Sequence, residues 1–392
     1  MKKLLYISTG IPEEEVNRLR EKQIQFTANA LLPISVFHGN ILSGLAENYD
    51  EVEALCGVPI NRHQYNISRY KTKHIQCGKV QYHIPGFLNR PKIKQLTTCV
   101  KIWWNILKWY QKNKNHDCDI IIDGSFYTGL ISLAMASGFI HARVGAILVD
   151  YYGFMEPKKE KLSQKIYYKL LKHVDRFVFV TEYLQKQVNC DGKKYIIVEG
   201  LVNTTHTAEN AVTVGDSCVY AGSLYRIYGV DRLIDAFHAT QLPYSLHLYG
   251  NGDMIDYIQE VAQKDPRIVY KGVISHEQLL QVERGAKLLV NPRPVYGELD
   301  TRFNFPSKLM EYMQSGRPVI TTRLLGIPQE YDDKMFYFED DTTSMIQAGL
   351  EKVLMMEESE LAAFGEAAKH FVNENKNNKS VGKKIMELMQ AE

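Results

Sequence analysis

Residues 305–322 read FPSKLMEYMQSGRPVITT, and the rest of the chain is organised around this stretch. Asn304, Pro306 and Ser307 mark a helix start, because proline fits the first turn and Ser or Asn can cap it. Leu309, Tyr312 and Met313 recur at helical spacing, with Glu311 and Gln314 on other faces. Gly316 ends the helix, Pro318 prevents its return, and Val319–Thr322 has the character of a short buried strand. A helix that begins just after a loop presents free N–H groups, which suits an anion, above all a diphosphate. Ser307 and Lys308 add a hydroxyl and a positive charge there. Glu311, one turn in, is acceptor-only when ionised and can hold two hydroxyls of a ribose. An ordinary amphipathic helix with a satisfied glutamate fits the same letters.

Upstream, short apolar strands alternate with helical segments. Strands are predicted at 3–9, 52–55, 119–123, 143–149, 176–180 and 195–198, and again at 217–221, 245–249, 268–270 and 288–291. Helices are predicted at 25–48, 128–139, 163–173, from 182, and at 229–239, 254–263, 276–284, 345–356, 360–373 and 381–389. Continuous apolar strands between helices mean parallel sheets covered on both faces, an α/β fold. Ligands of such sheets sit at the carboxyl ends of strands. In the first half those ends are Gly10, Asp123-Gly124-Ser125 and Asp150-Tyr151-Tyr152-Gly153. Residues 59–91, rich in polar residues, Tyr and His, predict no definite element. Residues 203–215 (NTTHTAENAVTVG) lack a core pattern and read as an interdomain linker.

The 392 residues suffice for two domains of ordinary size. Hydrophobic residues make up 45% and charged residues 23%, and no apolar run approaches the ~18 residues of a membrane span. The first strand is followed at once by Pro12 and Glu13-Glu14-Glu15, which reads as strand and loop rather than a signal peptide. The 6 cysteines are scattered without a CxxC pair, as in a reduced, cytoplasmic protein. The net charge of +2 hides an asymmetry: residues 1–205 hold 28 Lys and Arg against 18 Asp and Glu, a balance of +10, leaving −8 for the remainder. A basic half suits an anionic partner such as a membrane surface or a lipid phosphate. Residues 101–114, KIWWNILKWYQKNK, contain all 3 tryptophans. Ile102, Ile106 and Trp109 share one helical face; the Trp and Lys residues fit either a membrane interface or a packed core with solvated lysines. A second Lys/Tyr-rich stretch runs from Lys158 to Lys172.

Five pieces of the second half, VYAGSLYRIYGVDRLIDAF (219–237), LHLYGNGD (246–253), VYKGVISHEQL (269–279), KLLVNPRP (287–294) and the opening stretch, resemble in order and content the retaining glycosyltransferases of family 4, of bacterial surface-polysaccharide type. The resemblance implies the GT-B fold: two Rossmann-like domains whose parallel sheets face across a cleft. It sets an N-terminal acceptor-binding domain at 1–205, a C-terminal nucleotide-sugar domain at 206–373, and a last helix, 374–392, packed back on the first domain. It implies that Gly222 and Ser223 lie under the donor's diphosphate, that Gly250 and Gly252 line the cleft, and that Gly272 and Val273 border the base. Pro306, Ser307 and Lys308 would meet phosphate and Glu311 the ribose.

Three departures stand out. Phe303 replaces the first Glu of the family's E-x7-E pair, leaving Glu298, Asp300 or Arg302 to contact the sugar. Ser223 and Tyr228 stand where the family has Arg and Lys, so Arg226 becomes the candidate phosphate clamp, its planar fork suited to two oxygens; a solvated loop arginine is the other reading. Asp150 takes the place of the family's active-site His, as a hydrogen-bond acceptor or as a cap. Lys308, Arg226 and the helix terminus can neutralise a leaving diphosphate without a metal. Asp117-Cys118-Asp119 spells DxD but opens a buried strand, a chance match. The expected activity is therefore transfer of a sugar from a nucleoside-diphosphate sugar, the donor substrate, with no separate cofactor. The expected partners are a lipid-linked or polysaccharide acceptor and an anionic membrane surface, with no nucleic acid. A nucleotide-sugar epimerase, a non-catalytic partner subunit and a soluble enzyme making small glycosides are the rivals.

Overall fold

The computed structural model describes residues 1–24, 31–150, 162–188, 192–204, 212–297 and 300–391. The chain forms two compact units, Met1–Leu201 with Asn378–Glu392, and Val202–Asn377.

The first unit is built on an eight-stranded sheet. Lys2–Ser8 lies near its middle, paired in parallel with Glu51–Cys56 on one side and Asp117–Asp123 on the other. Beyond Asp117–Asp123 follow Arg143–Leu148, Arg176–Phe179 and Lys194–Ile197, all parallel. Beyond Glu51–Cys56 come Val80–Ile84 in parallel and Lys73–Cys77 antiparallel at the edge. The chain order therefore reverses between Lys2–Ser8 and Asp117–Asp123. The middles of these central strands are apolar because both faces are covered; Leu4, Tyr6, Ile7, Ile120, Ile121 and Ile122 are all buried. Residues 59–91 supply two short antiparallel pairings, Lys73–Cys77 with Val80–Ile84 and Arg69–Tyr70 with Phe87–Leu88.

The last helix, Asn378–Gln390, completes this unit against the helix Leu31–Leu45. Gly44 and Gly382 let the two backbones touch: a methyl group on Gly382 would lie 2.3 Å from the Gly44 carbonyl carbon. Arg176 anchors the helix end, its guanidinium donating to the carbonyls of Leu388 (2.9 Å) and Ala391 (2.6 Å), where a cation also opposes the helix dipole.

The second unit has a six-stranded, wholly parallel sheet in the order Ile268–Gly272, Ser245–Tyr249, Ser217–Ala221, Leu288–Asn291, Val319–Thr322, Phe336–Phe338. Its order reverses between Ser217–Ala221 and Leu288–Asn291. Val319–Thr322 is fully buried, as its composition predicts. The helix before it is short, Lys308–Gln314, and ends with Gly316 at φ 78°, a left-handed conformation that glycine adopts without steric cost. Ser307 departs from expectation: it is already helical (φ −54°, ψ −31°), and its side chain caps nothing.

Candidate functional site

The helix Lys308–Gln314 is held by burial of Leu309, Met310, Tyr312 and Met313. The Tyr312 hydroxyl accepts from the Ala221 N–H at 2.8 Å and donates to the Ala221 carbonyl at 3.3 Å. Losing it would strand a buried backbone donor, at a cost of about 1–3 kcal/mol. This contact fixes Lys308 against the carboxyl end of Ser217–Ala221. The lysine Nζ lies 4.0 Å from the centre of the Tyr220 ring. It also sits so close to Gly222 that a side-chain carbon there would approach it to 2.7 Å. The Lys308 stem is partly exposed, but its ammonium is buried. Burial pulls its pKa down to about 7; Arg293 pushes the same way and Glu283 opposes.

The glycines form a layer under this cation. Gly222 donates to the Tyr249 carbonyl and Gly250 to the Gly272 carbonyl, both at 2.9 Å. Gly250 (φ 136°) leaves no room for a side chain, since a Cβ would fall 1.7 Å from the Gly222 oxygen. Gly252 packs as tightly on the Leu224 carbonyl. Three successive strand ends are thus knitted through backbone, with Asp253 accepting from the Arg226 N–H (3.0 Å) and the Tyr270 hydroxyl donating to the Gly250 carbonyl (3.1 Å). Ser223 contributes its carbonyl to the Tyr220 hydroxyl, and Val273 is exposed just beyond Gly272. Pro306 is buried and Ser307 exposed beside Lys308.

Glu311 is half-exposed, and its Oε1 meets His276 Nε2 at 3.1 Å. His276 opens a helix, His276–Gly285, set by a capping box in which the Ser275 hydroxyl accepts from the Gln278 N–H and the Gln278 side chain accepts from the Ser275 N–H. The same helix carries Glu283, which sequence reasoning missed. It is 1% exposed, and one carboxyl oxygen has no hydrogen-bond partner. Burial first, and the charge of Glu311 second, raise its pKa well above the usual carboxylate range, against the pull of Lys308. Burial thus disfavours the charged form of Glu283.

Arg226 stands on a one-turn 3₁₀ helix, Arg226–Tyr228, with its guanidinium exposed and paired to Asp231 at 2.9 Å. Arg293, also missed, is the cation whose charge reaches Lys308. It follows the strand Leu288–Asn291 by two residues, at the reversal of strand order, with its guanidinium 5.5 Å from the centre of the Tyr228 ring. The rule that ligands gather at the carboxyl ends of strands could have found it. Asp300 and Arg302 form a two-pronged ion pair with each other, the Nη2–Oδ2 distance being 2.6 Å. Phe303 lies under the Arg302 guanidinium. Glu298 lies outside the described residues.

In the first unit, the strand ends hold a closed polar cluster. Asp123 accepts from the N–H and hydroxyl of Ser125 (2.8 and 2.6 Å) and from Thr9 (3.2 Å), and His38 Nε2 is 3.3 Å away. Burial alone would raise the Asp123 pKa, but His38 and Ser125 outweigh it and hold the carboxyl below its ordinary range. Gly10 packs directly on His38. Asp150 is exposed two residues past the strand Arg143–Leu148; Tyr151, Tyr152, Gly153, 158–161 of the Lys/Tyr-rich stretch and 205–211 of the linker lie outside the described residues. Asp117 and Asp119 are both held by Arg143 at 2.6 Å, at the amino end of their strand. On the helix Ile93–Asn113, Ile102, Ile106 and Trp109 are buried while Trp104 is 51% exposed. Trp109 thus packs in the core, while Trp104 lies at the surface. No helix among the described residues is long and apolar enough to cross a membrane.

Residues 215–356, which include Gly222, Glu283, Lys308 and Glu311, match the family model described as Glycosyl transferases group 1. No curated protein matches the chain in sequence. Among solved structures, the sucrose-phosphate synthase of Thermosynechococcus elongatus superposes with a TM-score of 0.67 at 13% identity, over 99% of this chain and 98% of its own. HepE of Anabaena, in complex with UDP, gives 0.63 at 14% identity over 99% of each chain. A mutant of S. aureus TarM, in a complex that includes UDP, gives 0.57 at 15% identity over 78% of this chain; the match spans 60% of the TarM chain. The two halves, one a mainly parallel and the other a wholly parallel sheet with helices on its faces, are the Rossmann-like halves of the GT-B fold.

Proposed function

We propose that this protein is a retaining glycosyltransferase that moves a sugar, a hexose foremost, from a nucleoside-diphosphate sugar to a lipid-linked or polysaccharide acceptor in the making of a surface glycan. The observation that carries this reading is the buried ammonium of Lys308 beside the Gly222 backbone, at the reversal of strand order. The match of residues 215–356 supports the transferase class. The UDP in the HepE and TarM complexes favours a UDP-sugar.

Cleavage of the sugar–phosphate bond puts negative charge on the departing diphosphate. Lys308 and Arg293 are the cations placed to take it up, which makes metal-independent transfer workable. A preorganised electrostatic partner of this kind contributes about 3–4 kcal/mol of barrier lowering. Glu311 accepts from the ribose hydroxyls. With retention, the acceptor oxygen bonds to the anomeric carbon on the face that the phosphate oxygen leaves, and the acceptor's proton passes to that oxygen. Arg226 serves the phosphates only after exchanging Asp231 for them. Asp150 serves an acceptor hydroxyl.

A membrane-facing role draws on one face of Ile93–Asn113. Ile93, Leu96, Val100 and Trp104 are 44–67% exposed there at helical spacing, and Lys108 lies over the Trp104 ring. Apolar and basic groups on one surface suit an anionic bilayer, consistent with action at the cytoplasmic face of a membrane. Salt-sensitive binding to anionic vesicles is the expected result; its absence removes this part of the proposal. A second reading, a non-catalytic partner subunit, is favoured by Phe303 and by the mutual pairing of Asp300 and Arg302. The experiment that separates the two is a thermal-shift series with UDP-, GDP-, ADP- and TDP-sugars without metal, where saturation at 100 times Kd stabilises by about 2.7 kcal/mol. A shift with one nucleotide family that disappears in Glu311→Ala supports the enzyme; no shift with any supports the subunit.

A further inference from the structure

The first unit holds a cavity of about 810 Å³ that the donor site does not use. It opens where the carboxyl ends of Lys2–Ser8, Glu51–Cys56 and Asp117–Asp123 meet, at the reversal of strand order, and Thr9 and Ser125 line it. Arg62, Arg90, Lys92 and Lys94 also line it, and no Asp or Glu does so among the described residues. Arg62, Arg90 and Lys92 are exposed at the rim. Lys94 is half-buried, donates to the Ile60 carbonyl and lies 4.9 Å from the centre of the Phe87 ring. Burial lowers its pKa to about 8, and no Asp or Glu lines the cavity beside it among the described residues. Thr98 completes the floor: it is 8% exposed, and its hydroxyl oxygen is closed off beneath the surface. The long helix Ile93–Asn113 starts at this wall, adding partial positive charge.

We propose that this cavity binds a phosphate- or diphosphate-bearing group, and that the acceptor of the transfer reaction is therefore anionic. The acceptor role rests on the glycosyltransferase reading; the anion site itself does not. Several cations around one small volume favour a phosphoryl group over a single carboxylate, because its oxygens can meet more than one guanidinium or ammonium at once. The phosphoryl group could belong to a lipid diphosphate or to a soluble sugar phosphate, and the chemistry of the pocket serves both.

The test is calorimetric titration of the full chain with inorganic pyrophosphate, carried out in Lys308→Gln protein so that the donor site is disabled. Combining that background with Arg90→Gln and Lys92→Gly, both at exposed positions, is expected to weaken binding by about two- to fivefold for each cation removed. If pyrophosphate fails to bind Lys308→Gln protein but binds the wild type, the anion belongs to the donor site; the inference falls and the transferase reading stands. If nucleotide sugars bind no form of the protein while the rim variants still weaken pyrophosphate binding, the pocket stands and the transferase reading falls. Competition then identifies the source. Displacement by glucose 1-phosphate supports a soluble sugar phosphate, and displacement by a short polyprenyl diphosphate in detergent supports a lipid. Equal displacement by neutral methyl glucoside overturns the anionic assignment.

Discussion

Each sheet reverses its strand order once near its middle, and the two reversals are furnished in different ways. In the second unit the reversal lies between Ser217–Ala221 and Leu288–Asn291, and its cation is buried: Lys308 rests on the Tyr220 ring and the Gly222 backbone. In the first unit it lies between Lys2–Ser8 and Asp117–Asp123. There Asp123 is satisfied by Ser125, Thr9 and His38, and cations stand at an exposed rim. A buried charge interacts strongly and titrates with its surroundings; a rim charge is screened by water and salt. The same topological position thus yields one site of high stake per residue and one of shared, smaller contributions.

The largest effect expected from this difference is at Lys308. Lys308→Ala should lower kcat/KM by about 100-fold, the usual loss when one preorganised electrostatic group is removed, with the protein still folded by circular dichroism. Glu311→Ala should cost about tenfold, the worth of a hydrogen bond to a charged group. A Lys308→Ala enzyme of normal activity would break the comparison, since the buried cation would then have no more influence than the rim ones.

The buried cation should also report itself through protons. Its pKa in the free protein is about 7, below the ordinary lysine value of 10.5. At pH 8 it is therefore mostly neutral before a diphosphate arrives, and the arriving anion favours the charged form. Nucleotide binding at pH 8 should take up close to one proton, read as calorimetric heats that vary with buffer ionisation enthalpy. Affinity should fall by about tenfold per pH unit above 7. The sign for stability is opposite: between pH 7 and 10.5 the unfolded lysine binds more protons than the folded one, so this residue's contribution to stability rises with pH. Lys308→Met should abolish both dependences. Pyrophosphate binding at the first unit's rim should instead weaken several-fold as salt rises from low to physiological strength, where the Debye length is about 8 Å.

What the letters revealed follows the same divide. The strands Ser217–Ala221 and Ser245–Tyr249 have the limits their composition predicts: the first is buried over Cys218–Ala221, and in the second the buried Leu246 and Leu248 alternate with half-buried residues. Gly222, Gly250, Lys308 and Glu311 stand out because each belongs to a short local pattern. Glu283 does not: one acid on a helix becomes distinctive only when tertiary packing buries it. In the first unit, the helix Glu13–Arg20 was hidden by its acidic start, read as loop, although acids in a first turn favour a helix. Residues 59–91 stayed opaque because their pairings are two to five residues long and half-exposed. The cavity draws its cations from separate positions between Arg62 and Lys94, so no contiguous motif announces it.

The smallest effect expected is also the one that most sharpens the contrast. Lys92 is the non-glycine residue at positive φ (63°, with ψ −50°) among the described residues. It forms the corner of a tight turn in which the Ile93 N–H donates to the Pro91 carbonyl at 2.7 Å. Such a conformation costs a residue with a Cβ roughly 1–3 kcal/mol, whereas glycine adopts it freely and loses about 0.5–1 kcal/mol through chain entropy. Lys92→Gly should therefore leave the first unit more stable by about 1 kcal/mol, a rise of about 2–4 °C in the midpoint of thermal unfolding. Lys92→Ala, which removes the same charge but keeps a Cβ, should show no such rise. Both should weaken pyrophosphate binding equally. If the glycine variant binds pyrophosphate as tightly as the wild type, the strained backbone holds the Lys92 charge for no purpose and the rim loses its part in the comparison. If it binds more weakly while melting higher, stability has been given up at this corner to keep a cation at the mouth of the cavity.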